Sequence, residues 1–439
     1  MKYKEYPKYK NSSLKWFDKI PEQWEIYKLK FLISSLESGK RKDFENEDYA
    51  LSLGGEHINW NGTLNLNNKR YLSKEYYDSM NKGKINENDV LLVKDGATIG
   101  KTAIIEKLPK KMAVNEHVFI IRKNQRIISK LLYYLISSNL GFTQIKLTET
   151  GSAQPGINLN IADETYFTLT PNLNEQKQIA NYLDKKTSTI EENITKNKKL
   201  IELLKEKRTA LINQTVTKGL NPDTPMKESG IKWIGKIPEH WKCRKISSLS
   251  NIKRGASPRP IDDPIYFDEN GKYSWVRISN VTSSNKYLME TDQKLSKLGK
   301  SLSAPLEPGS IFISIAATVG KPIITKIKCC VHDGFVYFEN LNINEEFLYY
   351  IFEGGEPYKG LGKLGTQLNL NRETIGQIYV PLPPVEEQKQ ISKYLDKKTE
   401  QIDKTIEKIE RNIELLEEYK ESLIHHIVTG KVDVRGVEV

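Results

Sequence analysis

The sequence predicts an α+β chain assembled twice over. Two mixed α/β domains are separated by two long helices that pair as an antiparallel coiled coil, an internal repeat of pseudo-twofold character. Three observations predict it. First, Glu175-Gln-Lys-Gln-Ile-Ala-Asn-Tyr-Leu-Asp-Lys-Lys-Thr187 returns as Glu387-Gln-Lys-Gln-Ile-Ser-Lys-Tyr-Leu-Asp-Lys-Lys-Thr399, 212 residues on (387 − 175). Only Ala180/Ser392 and Asn181/Lys393 differ. Second, each copy opens a helical pattern with a heptad seam. Third, the same lead-in, Trp followed by Lys-Ile-Pro-Glu-x-Trp, stands near the start of each domain at 16–24 and 233–241.

In the second helix Ile402, Ile406, Ile409, Ile413, Leu416, Leu423 and Ile427 step by four, three, four, three, seven and four. That is the a/d repeat of a coiled coil, with Lys420 at the skipped position. The first helix keeps the same register through Ile190, Ile194, Asn197, Ile201, Leu204, Arg208, Leu211 and Thr215. Alone, either helix leaves an apolar stripe wet, so each needs a partner, and the other copy is the nearest one. Asn197, Arg208 and Thr215 stand where the second helix has Ile409, Lys420 and Ile427. Polar seam residues weaken pairing but fix register and partner.

Taken in order, the chain divides into a first domain (1–170), a first helix (171–218), a second domain (219–382), a second helix (383–429) and a tail (430–439). The lead-in prolines impose extended geometry, and the tryptophans are placed to clamp this segment against a helix end. Each domain then shows an apolar strand, a small-residue turn ending in Gly-Lys, and a second apolar strand, at 89–105 and 309–325. Ala113–Arg122 parallels Cys330–Glu339, and polar turns at 151–154 and 365–367 precede an Asn-Leu-Asn in each half. Proline runs at 170–174 and 381–384 mark the helix starts. Because the second lead-in follows the first helix, the tail after the second helix is expected to return near the N-terminus.

At 439 residues the chain exceeds one ordinary core. No apolar run is long enough to cross a bilayer, and the first ten residues lack the apolar stretch of a secretory signal. Cys243, Cys329 and Cys330 supply neither a disulfide framework nor a zinc ligand set, so a reducing, cytoplasmic setting is expected. A net charge of +11 favours a polyanionic partner.

Neither half carries a complete catalytic motif. Gly96-Ala-Thr-Ile-Gly-Lys-Thr102 resembles a phosphate loop, but three residues separate its glycines instead of four, and the repeat has Ala316 and Pro322 at the matching positions. Asp263-Pro-Ile-Tyr266 lacks the second proline of an amino-methyltransferase motif, and His425-His426 lies within a helix. No nucleophile triad or carboxylate pair recurs in both halves, and no metal site is expected. The divergent basic loops offer a binding role instead. Arginine can read guanine bidentately, asparagine and glutamine can read adenine, and lysine can hold phosphate. Candidates in the first half are Lys40, Arg41, Lys42, Lys94, Thr98, Lys101, His117 and Gln154. In the second half they are Arg254, Ser257, Arg259, Ser314, Thr318, Lys321 and Gln367. Lys101 and Lys321 recur, which suits either sequence-independent phosphate contact or a structural role.

The lead-in at 16–24 and 233–241, the Ile/Val-Gly-Lys turn at 98–101 and 318–321, and Glu-x-Gln-x-x-Ile…Leu-Asp at 175–184 and 387–396 together resemble the specificity subunits of type I restriction-modification enzymes. The likeness spans essentially the whole chain in double copy; Ala316 departs from the glycine often found in the turn. The resemblance implies two target-recognition domains, each reading half of a bipartite double-stranded DNA sequence. It implies a non-catalytic subunit that docks two methyltransferase (modification) subunits and, through them, two restriction subunits, with no membrane partner. S-adenosylmethionine, ATP and magnesium would belong to those partners, and none to this chain. The competing readings are a coiled-coil adaptor that binds only proteins, and the recognition part of a fused nuclease or methyltransferase.

Overall fold

The computed structural model describes residues 4–40, 48–151, 155–359, 361 and 370–437. The chain forms two compact units, Met1–Lys196 with Arg411–Val439, and Asn197–Glu410. Both divisions fall within the long helices rather than at their ends, because each unit holds part of each helix.

In the first unit, strands Ile33–Ser38, Val118–Lys123, Val90–Val93 and Thr102–Ile104 form an antiparallel sheet in that spatial order. The run Val90-Leu-Leu-Val93 is wholly apolar because both faces of this strand are covered. Leu91 and Val93 join a core with Leu51, Leu53, Met112 and Val114 of a second, three-stranded sheet. The helix Ser129–Ser137 lies against the strands of the first sheet. Ser138 then ends that helix and caps the next, Asn139–Leu147, by accepting from Gly141 N.

The second unit repeats the plan with one more strand in its first sheet, in the order Asn251–Arg254, Phe335–Glu339, Ile311–Ser314, Pro322–Thr325, Tyr287–Leu288. The hairpins expected at 89–105 and 309–325 are present as Val90–Val93 with Thr102–Ile104 and Ile311–Ser314 with Pro322–Thr325. A four-stranded sheet, Gln293–Leu295, Tyr273–Val276, Cys329–Val331 and Ala304–Leu306, encloses the buried cysteines. Burial pushes the Cys329 and Cys330 thiols up, to about 11 and about 12, so both stay protonated and inert.

The long helices run Leu173–Lys218 and Val385–Val428. Within the first unit the seam residues Ile190, Ile194, Ile413 and Leu423 are buried; within the second, Ile201 and Ile406 are. Asn197, Leu204, Leu211, Ile402, Ile409 and Leu416 are half-buried. The cations at the skipped seam positions each meet an acid on the other helix: Lys420 pairs with Glu191, and Arg208 Nε lies 3.0 Å from Asp403. As the index on the first helix rises from 191 to 208, that on the second falls from 420 to 403, so the helices are antiparallel. Burial opposes the Arg208 charge, but Glu353, 2.8 Å from Nη1, and Asp403 outweigh it and raise its pKa.

The second tryptophan of each lead-in is clamped against a helix start as expected, while Trp233 Nε1 instead donates to Tyr379 O of a strand. Trp24 Nε1 donates to Glu175 Oε1 (3.1 Å) and Trp241 Nε1 to Glu387 Oε2 (2.8 Å), each at the start of a long helix. The opposite helix ends there too. Gly430 (φ +73°) and Gly219 (φ +76°) take left-handed C-terminal positions, and a Cβ on Gly430 would sit 2.4 Å from Pro21 Cδ. Below this clamp, Gln176 and Gln388 bond the backbone at Ile128 and Asn344, while Tyr134 and Tyr350 donate to Asp184 and Asp396. The invariant spacing of the repeated stretch is thus a set of side chains that lash each domain to its helix. The tail returns near the N-terminus as expected: Asp433 N donates to Lys4 O (2.8 Å), and Tyr9 Oη to Gly430 O (3.2 Å).

Candidate nucleic-acid interface

The registers of the first unit bring four loops to one end of its sheets. Phe119 is opposite Ser38, Val118 opposite Val93, Leu92 opposite Thr102, and Leu53 alongside Val114. The segments after Ser38, Leu53 and Val93, and the 115–117 turn, therefore adjoin. Lys40 is exposed there, and Gly39 N donates to Asn115 O (3.2 Å). Lys94 Nζ lies 3.0 Å from Asp95 Oδ2, and His117 Nδ1 bonds the other oxygen of the same carboxylate. Thr98 Oγ1 packs against the turn at Gly55. Lys101 Nζ lies 5.9 Å from the ring centre of Trp60, which is 63% exposed and meets Phe142 edge-on. Sequence reasoning missed Trp60 and Asp95. An isolated Trp between turn residues carries no periodic signal, and an acid within a basic loop reads as an ordinary surface charge.

The second unit places its loops the same way, with Arg254 opposite Val336, Ser314 opposite Phe335 and Val276 alongside Val331. Arg254, Ser257 and Arg259 converge on Asp333. Arg254 Nε donates to its carbonyl (2.7 Å), Ser257 Oγ to Oδ1 (2.8 Å) and Arg259 Nη2 to Oδ2 (3.1 Å). Partial burial pushes the Asp333 carboxyl up, but the Ser257 bond and the Arg259 charge outweigh it and hold it below the ordinary carboxylate value.

Other expected contacts are spent inside the unit. Ser314 is 0% exposed and donates to Ala316 O, because both faces of the strand Ile311–Ser314 are covered. Lys321 Nζ donates to Ser284 O (2.6 Å) and Thr282 O (3.2 Å), the carbonyls ending the short helix Ile278–Ser283, and burial lowers its pKa. Lys321 thus makes a structural contact that Lys101 does not share. Thr318 Oγ1 bonds Thr282 Oγ1 (2.9 Å). Arg41, Lys42, Gln154 and Gln367 lie outside the described residues. Among the described residues no group of three or more His, Cys, Asp or Glu could hold a metal ion, and no helix is long and apolar enough to cross a membrane.

Two loop-bearing α/β domains, each lashed to a shared antiparallel helix pair by the same side chains, define a duplicated recognition scaffold. The family described as "Type I restriction modification DNA specificity domain" matches residues 21–203 and again 238–417. The chain belongs to that family and carries its domain twice. It is 27% identical over 441 residues, 95% of each chain, to the type I restriction enzyme MjaVIII specificity subunit of Methanocaldococcus jannaschii. It is 23% identical, again over 95% of each, to the putative MjaX specificity subunit of the same organism. Among solved structures, a chain from "Structural basis underlying complex assembly and conformational transition of the type I R-M system" matches with a TM-score of 0.74 at 16% identity, covering 94% of this chain and 99% of that one. The HsdS subunit from Thermoanaerobacter tengcongensis matches with a TM-score of 0.56 at 17% identity, covering 94% and 98%.

Proposed function

We propose that the chain reads a bipartite target in double-stranded DNA, one half-site per domain, and docks two modification and two restriction subunits that perform the methylation and cleavage. The readers are residues 1–170 and 219–382, the helices (171–218 and 383–429) set the spacing between half-sites, and the tail (430–439) closes the first unit. The observation that carries this reading is the pairing of a duplicated, internally matched scaffold with loops that differ between the copies. In one unit Lys94 and His117 surround Asp95, and in the other Arg254 and Arg259 surround Asp333. Scaffold kept and loops changed is what two readers of different sequences require. At 1.5 Å per residue, helices of 46 and 44 residues are about 69 and 66 Å long, ample to separate sites one DNA turn, ~34 Å, apart. The partner subunits supply S-adenosylmethionine, ATP and magnesium chemistry in the host cytoplasm.

The test is to map methylated adenines in a host carrying this chain with its modification subunits, before and after residues 25–165 are exchanged for another reader. One half-site should change and the other persist. With about eight phosphates contacted, binding should fall with a log–log salt slope near −7. Change in both half-sites would refute modularity, and a slope near zero would leave the protein-only adaptor in its place.

A further inference from the structure

We infer that Asp333 presets Arg259 to read one guanine edge in duplex DNA, with Arg254 and Ser257 completing the mount. This rests on the DNA-recognition reading and names the base that one loop takes.

Asp333 commits its polar atoms to a single loop. Its carbonyl accepts Arg254 Nε (2.7 Å), Oδ1 accepts Ser257 Oγ (2.8 Å), its N–H faces Ser257 Oγ at 3.5 Å, and Oδ2 lies 3.1 Å from Arg259 Nη2 and 4.0 Å from Arg254 Nη2. The residue behind it is fixed in turn: His332 packs on Phe335 at 4.5 Å between ring centres, and its Nδ1 accepts from Gly334 N (2.9 Å). Both guanidinium side chains stay open to solvent, 62% exposed for Arg254 and 67% for Arg259. Ion pairs this exposed add little to folding stability. Their effect is to fix where two long side chains lie.

The two arginines are not equivalent. Arg254 turns its adjacent Nε and Nη2 donors toward Asp333. Arg259 gives Asp333 one donor of its five, and its own carbonyl is held by Tyr266 Oη at 2.9 Å. The rest of its fork matches the paired O6 and N7 acceptors that guanine presents in the major groove. Two guanidiniums around one carboxylate leave the mount with net positive charge, as a polyanion requires. Because the side chain is already held, less rotamer freedom is lost when the base is met.

The experiment uses the full chain in complex with its modification subunits, and duplex oligonucleotides bearing every single base-pair change in the wild-type target. Arg259→Ala should lower discrimination at one G·C pair of one half-site by about 5- to 150-fold and leave other positions unchanged. Arg259→Lys, which keeps the charge but not the fork, should lose the same discrimination with the salt slope intact. Asp333→Asn should lose about 2- to 12-fold at the same pair without moving the thermal midpoint. Uniform weakening by Arg259→Ala across all sequences, with a slope shallower by about one, would make Arg259 a phosphate contact and overturn the inference. An unchanged base profile or relaxation in both half-sites would overturn it equally. Full discrimination in Asp333→Asn would remove the positioning role. A wild-type complex that selects no duplex sequence would instead bring down the recognition reading, and this inference with it.

Discussion

Trp24→Phe and Trp241→Phe make the same chemical change at two copies of one clamp whose solvent access differs. Both tryptophans are almost wholly buried, so both variants lose a similar slice of packed indole, about 1 kcal/mol. The hydrogen bond separates them. Glu175 is 5% exposed and takes Trp24 Nε1, Tyr6 Oη (2.8 Å) and Thr170 Oγ1 (2.8 Å). Water cannot replace the lost donor, so a further ~1.5–3 kcal/mol is expected. The Glu387 side chain is 37% exposed and shares its other oxygen with His240 Nε2, so water restores most of the loss, leaving ~0–1 kcal/mol. The difference, about 2 kcal/mol, is roughly a 30-fold change in local opening. Native-state hydrogen exchange at the paired strands Tyr9–Asn11/Lys19–Pro21 and Met226–Glu228/Lys236–Pro238 reads each clamp separately. Equal loss of protection at both, or a larger loss in Trp241→Phe, would refute the argument that solvent access sets the strength of this bond.

Arg208→Met should cost ~1–3 kcal/mol around the second unit's seam, since Glu353 and Asp403 both lose their cation, whereas Lys420→Met, releasing only Glu191, should cost under ~1 kcal/mol; exchange at seam amides checks the order. The tail should be acid-labile. Burial pushes the Asp433 carboxyl up, but bonds from Arg435 Nε (2.9 Å) and Nη2 (2.8 Å) outweigh it and depress the pKa. The stabilisation is therefore complete above the unfolded carboxylate value of ~3.9 and is lost as pH falls through the lower folded one. Protection at 430–437 should fall away below about pH 4 and not between 5 and 8, which amide exchange at stepped pH would show. Four residues inserted at equivalent points of both helices should add ~6 Å and lengthen the unspecified spacer by one or two base pairs in a methylation map. An unchanged spacer would end the ruler reading.

What the sequence made legible was what it repeats. The Glu175 and Glu387 stretches, the heptads and the tryptophan lead-ins each have a duplicate, and a duplicate at fixed spacing separates scaffold from surface. The loops have no such check. Ser314 ends a strand covered on both faces, so its polar side chain gave no sign of its burial, and Lys321 meets carbonyls supplied by a helix some 40 positions earlier, Ile278–Ser283. Asp333 was hidden for another reason. Its negative charge has the same sign as the DNA proposed to bind there, and its use shows only when Arg254 and Arg259 are seen to close on it.

The hydrogen bond from Asp433 N to Lys4 O puts residues 4 and 433 side by side. Where the molecule is cut open is then almost arbitrary. A short linker joining residue 433 to residue 4, with a fresh break in the exposed 220–223 stretch, should give a permuted chain that folds and functions as before. By the same logic, two separately made half-length chains could assemble as one.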